Sequence, residues 1–464
     1  MSSKLHYFVC GIGGSGMLPL AVILKGMGFT VSGSDRSYDQ GRTPEKFAWI
    51  EQQGIVLHPQ DGSGITDNLH ALVISKAVED TVPDIAAAKK AGLPIVKRAE
   101  LLVELFNKAK TRIAVSGTSG KTTTTGMIGF ILKEGGLDPT INNGGIFRNY
   151  AHDNPYSTAF VGEGDIFVTE IDESDGMDIV RQYQSEIAVI HNISLDHQPM
   201  EELQAMFSGF LANTRTAVLN ADDPDLLKMA DGFKGSVVTY STNGARADLM
   251  AGAMTHRANG VDVIVRADEK VIPLTLNVPG AHNVSNALAA LCVAQVAGVD
   301  LEKAANLLSR FEGIKRRMEI VGVKSGITVM DDFAHNPDKV AATLSTLRQF
   351  PGRLHIFFQP HGFGFLKLLG DELAQSFAQG LSSTDRLYMV EPLYLGGTVD
   401  RSVGAVNIIE SVKKYGGNAV LLEGRDAFKN TLLQDVKPDD RVVIMGARDD
   451  TLSLFAREIL DSLA

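Results

Sequence analysis

The chain has 464 residues, room for about three domains, and its 44% hydrophobic and 21% charged content excludes wholesale disorder and a fibrous repeat. Lys and Arg total 44 against 55 Asp and Glu, a net charge of −11. This excludes a broadly basic surface for nucleic acid or anionic membrane, so any anionic ligand needs a local site. No run approaches the ~20 apolar residues of a membrane helix. The first residues lead straight into a strand-like segment, without the apolar core of a signal peptide. Cys10 and Cys292, the only cysteines, have no partner at metal-ligand spacing. A cytoplasmic protein, monomeric or homodimeric, without nucleic-acid or membrane partners, is the expectation.

Residues 5–10 read as a buried strand. A glycine loop (Gly11, Gly13, Gly14, Ser15, Gly16) follows, then an apolar-periodic helix from Met17 to about Met27. Strands at 29–33, 71–76 and 94–97 alternate with helical patterns, which predicts a parallel sheet with crossover helices. The loop fits G-x-G-x-x-G between strand and helix, where backbone N–H groups bind phosphate. Asp35, at the end of the next strand, is placed to meet a ribose hydroxyl. A nucleotide diphosphate site is expected; a tight turn without ligand is the alternative.

A second unit opens near residue 109. A strand at 112–116 runs into Gly117, Thr118, Ser119, Gly120, Lys121, Thr122 and Thr123, with a helix predicted from 123 to 133. The loop's N–H groups suit phosphates, Lys121 the β/γ charge and the Thr122 hydroxyl a Mg²⁺ ion, with ATP as the expected nucleotide. Strands are predicted at 166–171, 187–193 and 217–220, followed by a β-rich stretch over 237–276. Glu170, Asp172, Glu173 and Asp175 crowd one strand end. Four carboxylates in six residues repel without a cation, and hard oxygen ligands suit Mg²⁺. Glu170 is expected nearest the phosphates, while a charged surface turn is the alternative for Asp175 and Asp172. His197 closes a motif begun at Asn192 and is a second candidate metal ligand. A helix predicted over 283–297 makes Asn283 a helix cap or a nucleotide contact.

The third unit starts near 320, with strands predicted at 327–330, 354–358, 386–390, 419–422 and 441–445 separated by helices. Arg316 in the preceding linker suits a phosphate clamp. Asp331 and His335 lie at the end of the first of these strands, as a buried Asp–His pair or as nucleotide contacts.

In order, these motifs resemble the Mur ligases, ATP-dependent amide-forming enzymes of peptidoglycan synthesis, over essentially the whole chain. The resemblance implies an α/β fold of three domains. These are an N-terminal Rossmann-like UDP-sugar domain (1–108), a central P-loop ATPase-type domain with a mixed sheet (109–318) and a C-terminal Rossmann-like domain for the amino component (319–464). It implies UDP contacts for the 11–16 loop, metal ligation by Thr122, Glu170 and His197, and nucleotide contacts for Asn283, Arg316, Asp331 and His335. The substrates it implies are UDP-N-acetylmuramate, ATP and an amine. The branch that adds L-alanine fits best, on the first glycine loop, residues 98–102 and the segment from Phe358 to His361. A branch that reattaches a recycled murein tripeptide, and a non-catalytic nucleotide-binding relative, are the alternatives. Gly362 follows His361 where alanine-adding members usually carry an arginine, which removes one anchor for an amino-acid carboxylate. Arg448 is a candidate replacement, and His335 and His361 are candidate bases for the amine.

Overall fold

Three parallel-rich sheets are strung along the chain. A computed structural model describes residues 5–76, 78–193, 200–392, 400–447, 449 and 451–463. In the first sheet, β1 (His6–Cys10), β2 (Thr30–Ser34), β3 (Val56–His58), β4 (Ala71–Ile74) and β5 (Ile95–Lys97) pair in parallel in the order β3-β2-β1-β4-β5. The strand order reverses between β1 and β4, the position at which such sheets open a ligand crevice beyond their C-terminal ends. The helix Met17–Gly26 buries Leu18, Leu20, Ile23 and Leu24. A side chain at Gly33 would bring its Cβ within 2.4 Å of the Val9 carbonyl, so only glycine lets β2 approach β1 there.

The second sheet contains β6 (Thr111–Ser116), β7 (Thr140–Asn142), β8 (Ala159–Phe160), β9 (Ile166–Glu170), β10 (Ser185–Ile190), β11 (Thr214–Asn220), β12 (Ser236–Ser241), β13 (Leu249–Arg257), β14 (Gly260–Ala267) and β15 (Lys270–Leu276). Its order is β15-β14-β13-β12-β11-β10-β6-β9-β7-β8. The third contains β16 (Glu319–Lys324), β17 (Ile327–Asp332), β18 (Leu354–Gln359), β19 (Arg386–Met389), β20 (Ala419–Leu421) and β21 (Arg441–Gly446), ordered β16-β17-β21-β18-β19-β20. Only β16 in that sheet pairs antiparallel, an edge hairpin on a parallel core. The expected α/β class with three sheets is what the chain adopts.

Packing divides the chain into two compact units. One holds residues 1–252 with 264–274 and 285–311, the other 253–263 with 275–284 and 312–464. In the first, one apolar core runs from Tyr7, Val9, Phe47 and Trp49 through Phe106 to Phe167, Tyr183 and Phe207, joining the first two sheets. Phe106 meets Phe167 at 5.7 Å and Tyr183 at 5.2 Å between ring centroids, and Trp49 meets Tyr156 at 5.2 Å. Gly26 lets its helix sit against Val161, where an added Cβ would lie 2.5 Å away. In the second unit, Phe358 and Phe377 pack on one face of the third sheet and Phe357, Phe428 and Phe455 on the other.

Candidate active site

The first glycine loop leaves β1 at Gly11, whose φ of 73° is left-handed. Asp35 accepts from Gly13 N at 2.9 Å and from Ser37 N at 2.7 Å. It therefore fixes the loop and caps the short helix Arg36–Asp39. Gly14 N and Met17 N close turns within the segment. Gly16 lies against Arg98, since an added Cβ would sit 3.3 Å from Arg98 Cδ. Cys10, just before the loop, is buried beside Asp84 and Ser34. Burial, then the Asp84 charge, pushes its thiol up to about 12, so it stays an unionised packing group.

The second loop follows from β6 by the same strand–loop–helix logic. Gly117 (φ 118°) and Gly120 (φ 89°) take left-handed conformations, and the helix Lys121–Glu134 begins two residues before the predicted 123. A Cβ at Gly117 would lie 3.0 Å from the backbone of His191 and Asn192. Asn192 holds the loop from that side. Its Oδ1 accepts from Ser119 N at 2.9 Å, its Nδ2 donates to Ser119 O at 3.1 Å, and its carbonyl accepts from Thr118 N at 3.1 Å. Lys121 Nζ donates to Gly117 O at 2.8 Å and to Glu173 Oε2 at 2.6 Å.

Parallel pairing sets Val115 opposite Glu170 and so brings the end of β9 beside this loop. Thr122 Oγ1 donates to Glu170 Oε2 at 2.8 Å. These are hard oxygen donors of the kind Mg²⁺ takes. A Cβ at Gly144 would fall 1.9 Å from Glu170 Oε1, so glycine keeps this carboxylate in place. The expected repulsion within 170–175 is relieved by protein partners. Glu173 meets Lys121, Asp172 accepts from Ser174 N at 3.0 Å, and Asp175 takes Arg98 Nη2 at 2.6 and 2.7 Å. Asp175 is thus no surface charge, because its side chain is only 12% exposed. His197 and Arg448 lie outside the described residues. Among the described residues, no group of three or more His, Cys, Asp or Glu is placed to hold a metal.

Beneath the loop runs a polar chain that sequence reading missed. His191 is fully buried, with Nε2 2.6 Å from Thr124 Oγ1 and Nδ1 2.5 Å from Tyr240 OH. Thr124 Oγ1 in turn donates to Asn286 Oδ1 at 3.2 Å. That hydroxyl proton is committed, so His191 Nε2 carries the hydrogen and Nδ1 accepts from Tyr240. Burial holds the imidazole neutral, with its pKa lowered to about 4. Asn192, at the head of the quoted motif, and His191 before it were the available signals.

In the second unit Asn283 lies within the first turn of the helix Ala281–Val296, not at its cap, and donates from Nδ2 to Pro279 O at 2.7 Å. Arg316 (φ 60°) donates to Asp331 Oδ1 at 3.3 Å, to Gly446 O at 2.7 Å and to Asp449 O at 3.2 Å. Asp331 is fully buried and also accepts from Ser453 at 2.6 Å; burial raises its pKa. The alternative of an Asp331–His335 pair is corrected accordingly. His335 Nδ1 donates instead to Phe333 O at 2.8 Å. Burial, then Lys339, lowers the His335 pKa to about 2, which suits hydrogen bonding and not proton uptake near neutrality. The rings of His335 and His361 meet edge-on at 5.1 Å. Gln359, Arg425 and Asp449 form a further cluster at this sheet end, with Arg425 Nη2 2.6 Å from Asp449 and 2.9 Å from Gln359 Oε1.

Comparison with known proteins bears on this geometry. Residues 6–110 match the Mur ligase family, catalytic domain, residues 115–294 the Mur ligase middle domain, and residues 316–448 the Mur ligase, glutamate ligase domain. The UDP-N-acetylmuramate--L-alanine ligase of Desulforamulus reducens is 36% identical over 99% of this chain and 98% of its own. The UDP-N-acetylmuramate-alanine ligase structure from Thermotoga maritima is 26% identical, with TM-score 0.79 over 98% of each chain. A murein peptide ligase from Psychrobacter arcticus shares the fold at 24% identity, with TM-score 0.73 over 99% of this chain and 98% of its own. With all three sheets matched and the relatives aligned end to end, the chain belongs to the Mur ligase family.

Proposed function

We propose that this chain is an ATP-dependent ligase that joins L-alanine to the carboxylate of UDP-N-acetylmuramate in peptidoglycan precursor synthesis, in the cytoplasm where ATP is supplied. The observation that carries the reading is the phosphate loop, with Lys121 and Thr122 docked on Glu173 and Glu170, in a chain 36% identical to such a ligase over 99% of its length. Residues 1–108 take the sugar nucleotide, 109–318 the ATP and 319–464 the amine. The loop from Gly11 to Gly16 faces the diphosphate. Lys121 leaves Glu173 for the phosphate charge, and the N–H groups from Gly117 to Thr123 hold the oxygens. The roles that the resemblance implies for Asn283, Arg316, Asp331, His335 and His361 belong to this reading, as does metal ligation by His197.

The sugar's carboxylate oxygen bonds to the γ-phosphorus as the bond to ADP breaks, giving an acyl phosphate. The amine nitrogen then bonds to the acyl carbon, phosphate leaves with the C–O electron pair, and the nitrogen loses a proton. Thr122 and Glu170 would hold Mg²⁺, which would supply neutralisation of phosphate charge. The residues' own contribution is positioning and charge, with no covalent enzyme intermediate.

A second reading, transfer to the recycled murein tripeptide, is favoured by one feature. Gly362 and Gly364 follow His361, and a Cβ added at either would meet nothing within 4 Å, so this segment leaves open space beside His361 for a larger amine. Phosphate release from ATP, with product mass, is measured with UDP-N-acetylmuramate and L-alanine, glycine, L-serine or the tripeptide. L-Alanine-dependent release with a matching amide mass is expected. Turnover with the tripeptide alone transfers the assignment to the second reading, and no turnover with any amine refutes both. Lys121→Ala is expected to abolish turnover while sugar-nucleotide binding persists.

A further inference from the structure

The turn from Asp172 to Asp175 is gripped from two sides. From the second sheet, Lys121 holds Glu173 at 2.6 Å and Thr122 holds Glu170 at 2.8 Å. From the first sheet, Arg98 holds Asp175 at 2.6 and 2.7 Å, and Lys76 Nζ donates to Ser174 O at 3.1 Å. Lys76 and Arg98 follow the C-terminal ends of β4 and β5, beside the crevice of that sheet. The Arg98 stem rests on Gly16 of the first glycine loop. The Arg98–Asp175 pair is largely enclosed, at 17% and 12% side-chain exposure. One short turn therefore touches the surroundings of both loops.

We propose that Arg98 is a positioning residue that couples the two loops. A diphosphate on the Gly11–Gly16 loop fixes the Arg98 guanidinium, Arg98 fixes Asp175, and the ordered turn then steadies the adjoining end of β9, holding Glu170 on Thr122 ready for the triphosphate. Each ligand thus tightens the other, and linkage makes the effect equal in both directions. The inference rests on the proposed sugar-nucleotide substrate.

The test is calorimetric binding of a non-hydrolysable ATP analogue with Mg²⁺, with and without saturating UDP-N-acetylmuramate. The wild-type chain is expected to bind the analogue at least about five-fold more tightly when the sugar nucleotide is present. Arg98→Met and Asp175→Asn are each expected to bring that ratio to about one. Asp175→Asn leaves each ligand's separate Kd within about three-fold, Arg98→Met leaves that of the ATP analogue alone within about three-fold while weakening the sugar nucleotide, and the double variant lowers the ratio no further. Because a single Arg98 nitrogen serves both Asp175 oxygens, Arg98→Lys is expected to restore part of the ratio. It also separates coupling from folding, since a purely structural defect leaves the ratio intact in any variant that still binds. A wild-type ratio of one, or an unchanged ratio in Arg98→Met, overturns the coupling. Failure of the wild-type chain to bind UDP-N-acetylmuramate overturns the substrate reading instead, and the coupling falls with it.

Discussion

Gly144→Ala isolates the Glu170 carboxylate without touching the core. Gly144 is exposed, so the new methyl group creates no buried clash with backbone. It would lie 1.9 Å from Glu170 Oε1 and 2.9 Å from Cδ. An unstrained carbon–oxygen contact needs about 3.3 Å, so the carboxylate has to withdraw by about 1.4 Å. A glutamate end can swing that far at little cost to the fold, but the swing breaks the 2.8 Å contact with Thr122. Misplacement by about 1 Å at a phosphoryl-transfer site costs on the order of 100-fold in rate. The expected result is kcat for L-alanine-dependent phosphate release down about 100-fold, with a thermal midpoint within a few degrees of wild type. A kcat within about three-fold of wild type would show that the placement of Glu170 is unimportant, and would refute this account of the site.

Three further outcomes are expected. Asn192→Ala removes both side-chain bonds to Ser119, worth about 1–2 kcal/mol together, so KM for ATP should rise roughly ten-fold; an unchanged KM would show that the loop holds its shape alone. His191 titrates near 4 when folded and near 6.5 when unfolded, so the unfolded chain binds the extra proton and stability rises with pH between those values. Its contribution is complete above about 6.5 and is lost as pH falls toward 4. Urea unfolding at pH 7 and pH 5 should show wild type losing about 2 kcal/mol more than His191→Gln, and parallel losses would contradict the buried neutral imidazole. Arg316→Met leaves the buried Asp331 without its cation and should destabilise by about 3–5 kcal/mol in urea unfolding, whereas a loss below 1 kcal/mol would show that the pair is dispensable.

Features set by neighbours in sequence were legible in it. Strand, glycine loop and helix follow one another within about 20 residues at both Gly11 and Gly117, so local pattern placed both loops and all three sheets. The helix after Gly120 was predicted two residues late because its start depends on a left-handed glycine and not on apolar spacing. Pairings between distant residues were not legible. Arg98 and Asp175 are 77 residues apart, and Lys121 and Glu173 are 52 apart, so the protein groups that meet the acidic run were not visible in the sequence. His191 looked like the end of an apolar strand, and its partners Tyr240 and Thr124 come from other elements. Of the strands that were not predicted, β3, β7 and β8 have two or three residues each, and β16 is a half-exposed edge strand without a buried apolar run.

The seam of Gly26 on Val161, Trp49 on Tyr156 and Phe106 on Phe167 and Tyr183 packs the first sheet against the part of the second that shares its compact unit. The spacing between their two loops is therefore set by packed aromatic and glycine contacts. An inhibitor built as one molecule, a uridine diphosphate joined to an adenosine phosphate by a tether cut to that spacing, would meet both loops with no cost of drawing them together.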